Sequence, residues 1–233
     1  MGDLAQKRLV RKLDLERFLS TIKPHPSPQA SLEQYTTSEP VAATMLYLAA
    51  YMYGDIEGKS VLDLGCGTGR LSLGAAFLGA KSVVGIDIDE TAMKNAAENA
   101  AQADLDADIE WVRGDIAAIV GRFNTVLQNP PFGVQKRAAD RRFLEKALEV
   151  GDVVYTLHNH PHSDKVLASK LRGLRSGFVQ VAPSQFLAGF IGELGGKIEA
   201  VYALPLIIPR MFDFHTKAKH EVVVDLYVIR HKN

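Results

Sequence analysis

A short apolar run that ends in a glycine-rich turn is the feature that most restricts how this chain can fold. The run covers residues 61–64, the turn Gly65-Cys66-Gly67-Thr68-Gly69 follows directly, and a helical pattern begins after it. Closely spaced glycines let a backbone turn tightly and approach a ligand. Arg70 stands where a phosphate-binding Walker loop would need its lysine, so that motif is excluded. Dinucleotide oxidoreductases use a similar turn, so the glycines alone predict a ligand site but not its ligand.

Strand and helix patterns alternate along the rest of the chain. The strand candidates are residues 61–64, 82–86, 109–112, 125–127, 153–157, 178–181, 200–204 and 221–229. Strands that alternate with helices predict a mostly parallel sheet covered by helices on both faces. The last two candidates have no obvious helix between them, which predicts an antiparallel hairpin at an edge of the sheet.

The bulk composition excludes several classes of protein. The 27 basic and 27 acidic residues cancel, which disfavours a pure nucleic-acid-binding module but not an enzyme that docks RNA locally. The single cysteine, Cys66, excludes an internal disulfide and a zinc site of several cysteines. The longest apolar run, residues 41–53, is too short to span a bilayer, and the amino terminus does not resemble a secretory signal. We therefore expect a cytoplasmic protein with one domain, residues 1–233.

Residues 1–55 are predicted to form a helical extension of that domain. Leucines and charges at helical spacing in residues 3–20 indicate an amphipathic helix, and the prolines of residues 23–28 end it. Ser38 can cap a second helix, with Pro40 near its first turn. This second helix is apolar on nearly every side, so we expect it to be buried.

Three acidic residues, Asp63, Asp87 and Asp115, lie at the ends of successive predicted strands. Ligands of such sheets bind at the carboxyl ends of the strands. A carboxylate at Asp63 would repel a dinucleotide pyrophosphate but attract the sulfonium and ammonium groups of S-adenosylmethionine. Asp87 suits two ribose hydroxyls, and Asp115 suits an adenine amino group. Each acid alone could equally be a helix cap or part of a turn, but the three together favour S-adenosylmethionine as cofactor.

The turn Asn129-Pro130-Pro131-Phe132 follows the predicted fourth strand. It is similar to the motif of methyltransferases that modify planar amino or amide nitrogens, so these four residues are our catalytic candidates. Such a nitrogen is a poor nucleophile because its lone pair is delocalised. The side-chain carbonyl of Asn129 and a backbone carbonyl can both accept from its N–H groups, which favours a more pyramidal nitrogen that can attack. The prolines stiffen the turn, and Phe132 can stack on a base. A proline-rich turn that arose by chance is the alternative interpretation.

Further segments in one order extend this resemblance over nearly the whole chain, least clearly in residues 162–198. They are residues 32–37 (Leu-Glu-Gln-Tyr-Thr-Thr), the glycine turn, residues 85–89 (Gly-Ile-Asp-Ile-Asp), residues 129–133 (Asn-Pro-Pro-Phe-Gly), residues 155–158 (Tyr-Thr-Leu-His), Phe214-His215 and residues 224–226 (Val-Asp-Leu). With these segments the chain resembles the compact archaeal and eukaryotic methyltransferases that modify adenine in small-subunit ribosomal RNA.

The resemblance implies a fold, a cofactor site and partners. The fold is α/β, of the Rossmann-like class I methyltransferase type, with a seven-stranded, mostly parallel sheet and an antiparallel edge strand. Residues 32–37 would close over the methionine end of S-adenosylmethionine. The cofactor-binding residues that the resemblance and the strand-end acids together predict are Gln34, Tyr35, Thr37, Asp63, Gly65, Gly67, Thr68, Asp87, Ile88, Asp115, Ile116 and Asn129. Ribosomal RNA is the expected partner, and eukaryotic members also work with a small zinc-binding activator protein.

Two basic groups are candidates for contact with RNA. The loop after Phe132 carries the first, and it could be a mobile lid that contacts phosphate or the start of a solvated helix. This group consists of Lys136, Arg137, Arg141 and Arg142. The second group could equally be an ordinary charged turn between the last two strands. It consists of Arg210, His215, Lys217, Lys219 and His220.

The alternating histidines His158, His160 and His162 lack a suitably spaced acid or cysteine, so we expect no metal there. His158 is expected to end a strand near the pocket.

Four rival functions stay open at this point. A glutamine methyltransferase of this type carries a sizeable helical domain before the glycine turn, whereas 64 residues precede Gly65 here. A DNA adenine methyltransferase adds a recognition domain to flip its base, for which this chain has no room. A non-catalytic subunit that binds cofactor or RNA would not need the intact turn at residues 129–132. A nicotinamide oxidoreductase would need a second substrate domain.

Overall fold

The predicted glycine turn connects the first strand to a helix in a computed structural model of the protein. The structure describes residues 9–29, 33–34, 37–105, 107–132, 139–161, 165–174, 177–209 and 219–231. The helices are α1 (Lys12–Ser20), α2 (Glu39–Tyr47), α3 (Arg70–Phe77), α4 (Glu90–Ala103), α5 (Ala139–Val150), α6 (Lys165–Gly173) and α7 (Gln185–Glu193). A π-helical turn, Leu48–Met52, continues α2, and a short 3₁₀ helix covers Ile116–Ala118.

The strands form one sheet in the order β3-β2-β1-β4-β5-β8-β7-β6. They are β1 (Ser60–Leu64), β2 (Ser82–Asp87), β3 (Ile109–Arg113), β4 (Phe123–Gln128), β5 (Gly151–Asn159), β6 (Val179–Gln180), β7 (Gly196–Pro209) and β8 (Lys219–His231). β1 to β5 run parallel to one another, and β8 pairs antiparallel with both β5 and β7. The predicted α/β class and the mostly parallel sheet are therefore confirmed.

Two details of the sheet differ from the prediction. The described part of the sheet has eight strands and not seven, because β6 adds a two-residue strand beside β7. The predicted antiparallel hairpin of the last two strands forms as β7 and β8, but β8 lies inside the sheet, between β5 and β7. Residues Val224 to Ile229 of β8 are all buried, so both faces of the strand are covered. A strand that is covered on both faces is suited to the interior of a sheet.

Apolar side chains pack on both faces of the sheet, as the alternation of strands and helices predicts. Leu15, Leu46 and Leu73 bring α1, α2 and α3 onto one face. Leu144 and Ile191 bring α5 and α7 onto the other. The carboxyl ends of β1, β2, β3, β4 and β5 are thereby held in fixed relation at one edge, where the predicted site residues lie.

The amino-terminal helices match the sequence pattern in part. α1 begins at Lys12, so residues 9–11 of the predicted helix are not helical, and residues 3–8 lie outside the described residues. α2 is buried from Val41 to Leu46 as predicted. Ser38 is the residue before α2, but its side chain makes no capping hydrogen bond there. None of the helices in the described ranges combines the length and the apolar character that a membrane span needs.

Candidate active site

The glycine turn is fastened to the neighbouring strand and exposes its backbone to a ligand. The amide nitrogens of Gly65 and Cys66 donate to the carbonyl oxygen of Ile86, at 2.9 and 3.0 Å. Gly67 has a φ of +54°, and a Cβ atom built on it would meet no atom within 4 Å. Glycine thus serves two needs at position 67, a left-handed backbone and an open surface.

Asp87, at the end of β2, lies directly against this turn. Its Oδ2 accepts a hydrogen bond from the amide of Gly67 at 2.9 Å, and its Oδ1 accepts one from the amide of Asp89 at 2.9 Å. Burial raises the pKa of the Asp87 carboxyl. Asp87 therefore orders the turn, and its predicted contact with ribose hydroxyls stays a prediction. The neighbouring Ile88 is 57% exposed, so its side chain is accessible to a ligand.

Asp63, near the end of β1, is almost completely buried. Its Oδ2 accepts hydrogen bonds from the amide and the hydroxyl of Ser72 in α3, at 2.9 and 2.6 Å. Burial raises the pKa of this carboxyl to about 7, and the bonds from Ser72 limit the rise. Asp63 thus ties β1 to the first turn of α3. An aspartate whose pKa lies near 7 also responds strongly to a cation placed beside it.

Asp115 follows β3 and begins the 3₁₀ helix that contains Ile116. Its Oδ1 accepts from the amide of Ala117 at 2.9 Å. Nη2 of Arg142, at the start of α5, lies 3.2 Å from Oδ1 and 3.4 Å from Oδ2 of the same carboxyl. Arg142, which is predicted to contact RNA, is therefore paired with Asp115, which is predicted to contact the adenine of the cofactor.

The described parts of the segment that is predicted to cover the cofactor are attached to the same edge. Nε2 of Gln34 donates to Oδ2 of Asp89 at 2.8 Å, which connects the segment to the start of α4. The carbonyl oxygen of Thr37 accepts from Nη1 of Arg70 at 2.6 Å. Tyr35 lies outside the described residues. Gln34 is thus held near the end of β2 and Thr37 beside the glycine turn, and their contact with the cofactor stays a prediction.

Two residues that the sequence analysis missed hold the amino-terminal extension against the glycine turn. Arg70 is buried, forms an ion pair with Glu39 at 3.0 Å and donates to the carbonyl oxygens of Ile22 and Thr37. Nδ2 of Asn99, in α4, donates to the carbonyl oxygens of Thr68 and Lys23 at 3.0 and 3.1 Å. The sequence did offer a signal for each of them. Arg70 is a charged residue among the apolar residues of α3, and Asn99 is an amide on the buried side of α4.

Asn129 begins the proline turn immediately after β4. Its Nδ2 donates to Oγ1 of Thr37 at 2.9 Å. Pro130 is buried, Pro131 and Phe132 are half-buried, and Phe132 packs against the core. The amide of Asn129 is therefore oriented by Thr37, a residue 92 positions earlier in the chain.

Phe132 also lines an open cleft of about 240 Å³. It is lined by Phe132, Asp140, His158, Asn159, Pro161, Ser184, Phe186 and Leu187. His158 is the last residue but one of β5 and lies beside this cleft, with Nε2 at 3.1 Å from Oγ1 of Thr156. Burial lowers the pKa of His158 to about 4, so its imidazole is neutral at pH 7.

The remaining predicted residues fall in several places. His160 pairs with Asp225, with 2.8 Å between Nδ1 and Oδ1, whereas His162 lies outside the described residues. Among the residues that the structure describes, no group of three potential ligands is placed to hold a metal ion. The side chain of Arg141 stacks on the Phe186 ring, with 4.8 Å from Cζ to the ring centroid. The other predicted RNA contacts lie outside the described residues. They are Lys136, Arg137, Arg210, His215 and Lys217, together with the side chains of Lys219 and His220.

Comparison with known proteins defines the class first. The model of the ribosomal protein L11 methyltransferase (PrmA) family matches residues 41–129, from α2 to Asn129. A crystal structure from Pyrococcus horikoshii, of the protein PH1948 that is provisionally named an RNA methyltransferase, matches with a TM-score of 0.79 and 35% identity. The match covers 97% of this chain and 100% of that one. The protein is a methyltransferase with a Rossmann-like fold.

Curated relatives then identify the family. Mettl5 of Drosophila melanogaster, named an rRNA N(6)-adenosine-methyltransferase, is 40% identical over 91% of this chain and 93% of its own length. The uncharacterized protein MJ0284 of Methanocaldococcus jannaschii is 38% identical over 95% of this chain and 94% of its own length. This chain belongs to the family that contains Mettl5 and MJ0284.

Proposed function

We propose that this methyltransferase modifies the N6 amino group of an adenine in RNA, and that the RNA is that of the small ribosomal subunit. The hydrogen bond from Nδ2 of Asn129 to Oγ1 of Thr37 carries the proposal. Because the nitrogen donates to Thr37, the carbonyl oxygen of this amide, which is buried in the same turn as Phe132, can serve as an acceptor. An acceptor next to an aromatic ring suits a stacked base with an amino group. The name of Mettl5 supports adenine in ribosomal RNA as the substrate.

The methyl donor is S-adenosylmethionine, whose sulfonium supplies a methyl group that a weak nucleophile can attack. The carboxyl edge of the sheet fits this molecule, because Gly67 leaves open space at the turn and three acids end neighbouring strands. In the proposed complex Asp87 holds the ribose, Asp115 and Ile116 flank the adenine, and Gln34 and Thr37 cover the methionine end. The remaining residues of the site are Tyr35, Gly65, Thr68 and Ile88.

The residues around the target nitrogen act by positioning it. Asn129 and a backbone carbonyl accept from the amino group, which favours a more pyramidal nitrogen that can attack the methyl group. Phe132 stacks on the adenine, and the prolines keep the turn rigid. Holding two reactants in line supplies much of the rate acceleration for such a transfer. Cys66 is an unsuitable nucleophile, because burial raises the pKa of its thiol.

Asp63 makes cofactor binding sensitive to pH. The pKa of its carboxyl is about 7 in the folded protein, against an ordinary value of 3.8. A cationic ligand favours the ionised carboxylate, so the affinity for S-adenosylmethionine should rise roughly tenfold between about pH 6 and about pH 8. The folded protein binds this proton more tightly than the unfolded chain does, so the free energy of unfolding should fall over the range from about pH 4 to about pH 7. Calorimetric titrations and thermal melts at several pH values test both trends.

Asp63→Asn should abolish both trends while its side-chain oxygen still accepts from Ser72. The variant should bind the cofactor more weakly at about pH 8 and be more stable there than the wild type. Asp152→Asn is the matched control, because Asp152 is an exposed aspartate that pairs with Arg122. The titration of the ligand itself affects all three proteins equally. If Asp63→Asn kept the pH dependence of the wild type, the proposed cation contact would be wrong.

The substrate is tested by incubating the protein with labelled S-adenosylmethionine and a transcript of small-subunit ribosomal RNA. Duplex DNA of the same sequence and a protein extract are the competing substrates. We expect N6-methyladenosine in the RNA, identified by nucleoside mass spectrometry, because an adenine that is already unstacked avoids a flipping cost of a few kcal/mol. Label in DNA alone or in glutamine would favour one of the rival methyltransferases. Tighter binding of NAD than of S-adenosylmethionine would contradict the cofactor assignment.

Three further expectations belong to the same proposal. A target in ribosomal RNA agrees with a cytoplasmic enzyme. Residues 1–233 are taken as one methyltransferase domain, with residues 1–55 as its helical extension. The resemblance to the eukaryotic members adds a small zinc-binding activator protein as a partner. Copurification from the native cells tests this partner, and full activity of the isolated chain would argue against a need for it.

A further inference from the structure

Phe186 is a large apolar side chain that the packing of its helix does not require. It lies in the first turn of α7 and is 54% exposed. The residues that anchor α7 to the sheet are Leu187 and Ile191, which are buried. The position of Phe186 is nevertheless fixed, because Oγ of Ser184 accepts from the amide of Leu187 and the amide of Ser184 donates to the hydroxyl of Tyr227. The helix therefore holds an exposed phenyl ring at a defined place.

The ring of Phe186 is flanked by two flat groups. The ring of Phe190 lies nearly parallel to it, with 6.2 Å between the centroids and 8° between the planes. The guanidinium of Arg141 lies 4.8 Å from the centroid of the Phe186 ring. A phenyl ring that attracts a guanidinium in this way also offers a face to a nucleobase. Because Arg141 is exposed, its side chain can leave the ring and turn toward a phosphate.

Phe186 and Phe132 line the same cleft. Phe132 is the residue that we assign to the target adenine, so a base on Phe186 would belong to a neighbouring nucleotide. Asp140 also lines this cleft and would repel a phosphate inside it. The charges thus favour a neutral base in the cleft, with the phosphate outside near Arg141. Unstacked bases on aromatic side chains are the usual mode of sequence recognition in single-stranded RNA.

We propose that Phe186 and Arg141 form a second nucleobase site, which takes a nucleotide next to the target adenine. The base stacks on Phe186, and the guanidinium of Arg141 moves from the ring to the phosphate of that nucleotide. The inference rests on the proposed function, because it assumes an RNA substrate. The site holds the RNA strand at the nucleotide next to the reacting base, so that binding to this flanking nucleotide helps to keep the target adenine out of its stack.

The test compares Phe186→Ala, Phe186→Leu and Phe186→Trp in methyl transfer to the transcript of small-subunit ribosomal RNA. Leucine keeps apolar bulk but has no aromatic face, whereas tryptophan keeps one. We expect the KM for RNA to rise by at least about fivefold in the alanine and leucine variants and to stay near the wild-type value in the tryptophan variant. Leu13→Ala is the matched control, because Leu13 is 52% exposed and lies on α1. The dissociation constant of S-adenosylmethionine should stay the same in all variants.

Arg141→Gln supplies an independent readout. If Arg141 contacts a phosphate, the slope of log affinity for RNA against log salt should decrease by about one in this variant. A KM for RNA within twofold of the wild type in Phe186→Ala, or an unchanged salt slope in Arg141→Gln, would overturn the second site while the proposed function stands. If the wild type itself leaves RNA unmethylated, the proposed function fails and the second site fails with it.

Discussion

Asn129→Ala should reduce the rate constant for methyl transfer by roughly 100- to 1000-fold, the size of loss seen when one polar group that stabilises a transition state is removed. The affinity for S-adenosylmethionine should change much less. The acceptor interactions of Asn129 gain strength as the amino nitrogen becomes pyramidal, so they contribute mainly in the transition state. Single-turnover kinetics with saturating RNA measure the rate constant, and calorimetry with the cofactor measures binding.

Asn124→Ala is the matched control for this experiment. Asn124 is an exposed residue of the same strand, β4, and its Oδ1 accepts from Ser60 at 3.1 Å. That variant should keep the wild-type rate. Thr37→Val should also slow the transfer, because valine cannot accept from Nδ2 of Asn129, whereas Thr37→Ser keeps a hydroxyl and should restore most of the rate. Near-normal turnover of Asn129→Ala would remove Asn129 from the mechanism.

The fold was predictable from the sequence because its signals are local. One signal is the glycine turn after residues 61–64, and the other is the alternation of apolar strands with helices over most of the chain. Together they predicted the parallel part of the sheet. The order of the last strands was not predictable in full. An antiparallel pair can lie at an edge or inside a sheet. Only the burial of β8 on both faces indicates that this strand lies inside it. β6 has two residues, too few for a pattern to indicate its pairing.

The candidate site was predictable where its residues follow strands directly. Asp63, Asp87, Asp115 and Asn129 lie at the carboxyl edge because parallel strands all end there. The contacts between distant segments were not predictable. Arg70 reaches Thr37 across 33 positions, and Arg142 reaches Asp115 across 27. Such partners depend on how elements pack against one another, and no local pattern indicates them. The role proposed for Phe186 was not predictable for the same reason, because its exposed ring gains meaning only from the position of α7 beside the cleft.

Gly85→Ala should destabilise the protein by about 1–3 kcal/mol, the usual cost of adding a methyl group to a packed interior. A Cβ atom on Gly85, in β2, would lie 2.6 Å from Cζ3 of Trp111 and 3.1 Å from Sγ of Cys66. The indole of Trp111, in β3, cannot move away easily, because it also covers Gly69 at the end of the glycine turn. For a chain of this size the melting temperature should fall by roughly 2–10 °C, as measured by calorimetry.

Gly67→Ala separates this packing effect from an effect on the ligand. A Cβ atom on Gly67 meets nothing, so the stability cost should be limited to roughly 1–2 kcal/mol of strain at its φ of +54°. Its methyl group would occupy the open surface of the turn, and binding of S-adenosylmethionine should weaken more than it does in Gly85→Ala. The double variant Gly85→Ala/Trp111→Leu should be more stable than the sum of the two single effects, because the smaller side chain leaves room for the new methyl group. If the effects simply added, Trp111 would not be the group that excludes a side chain at position 85.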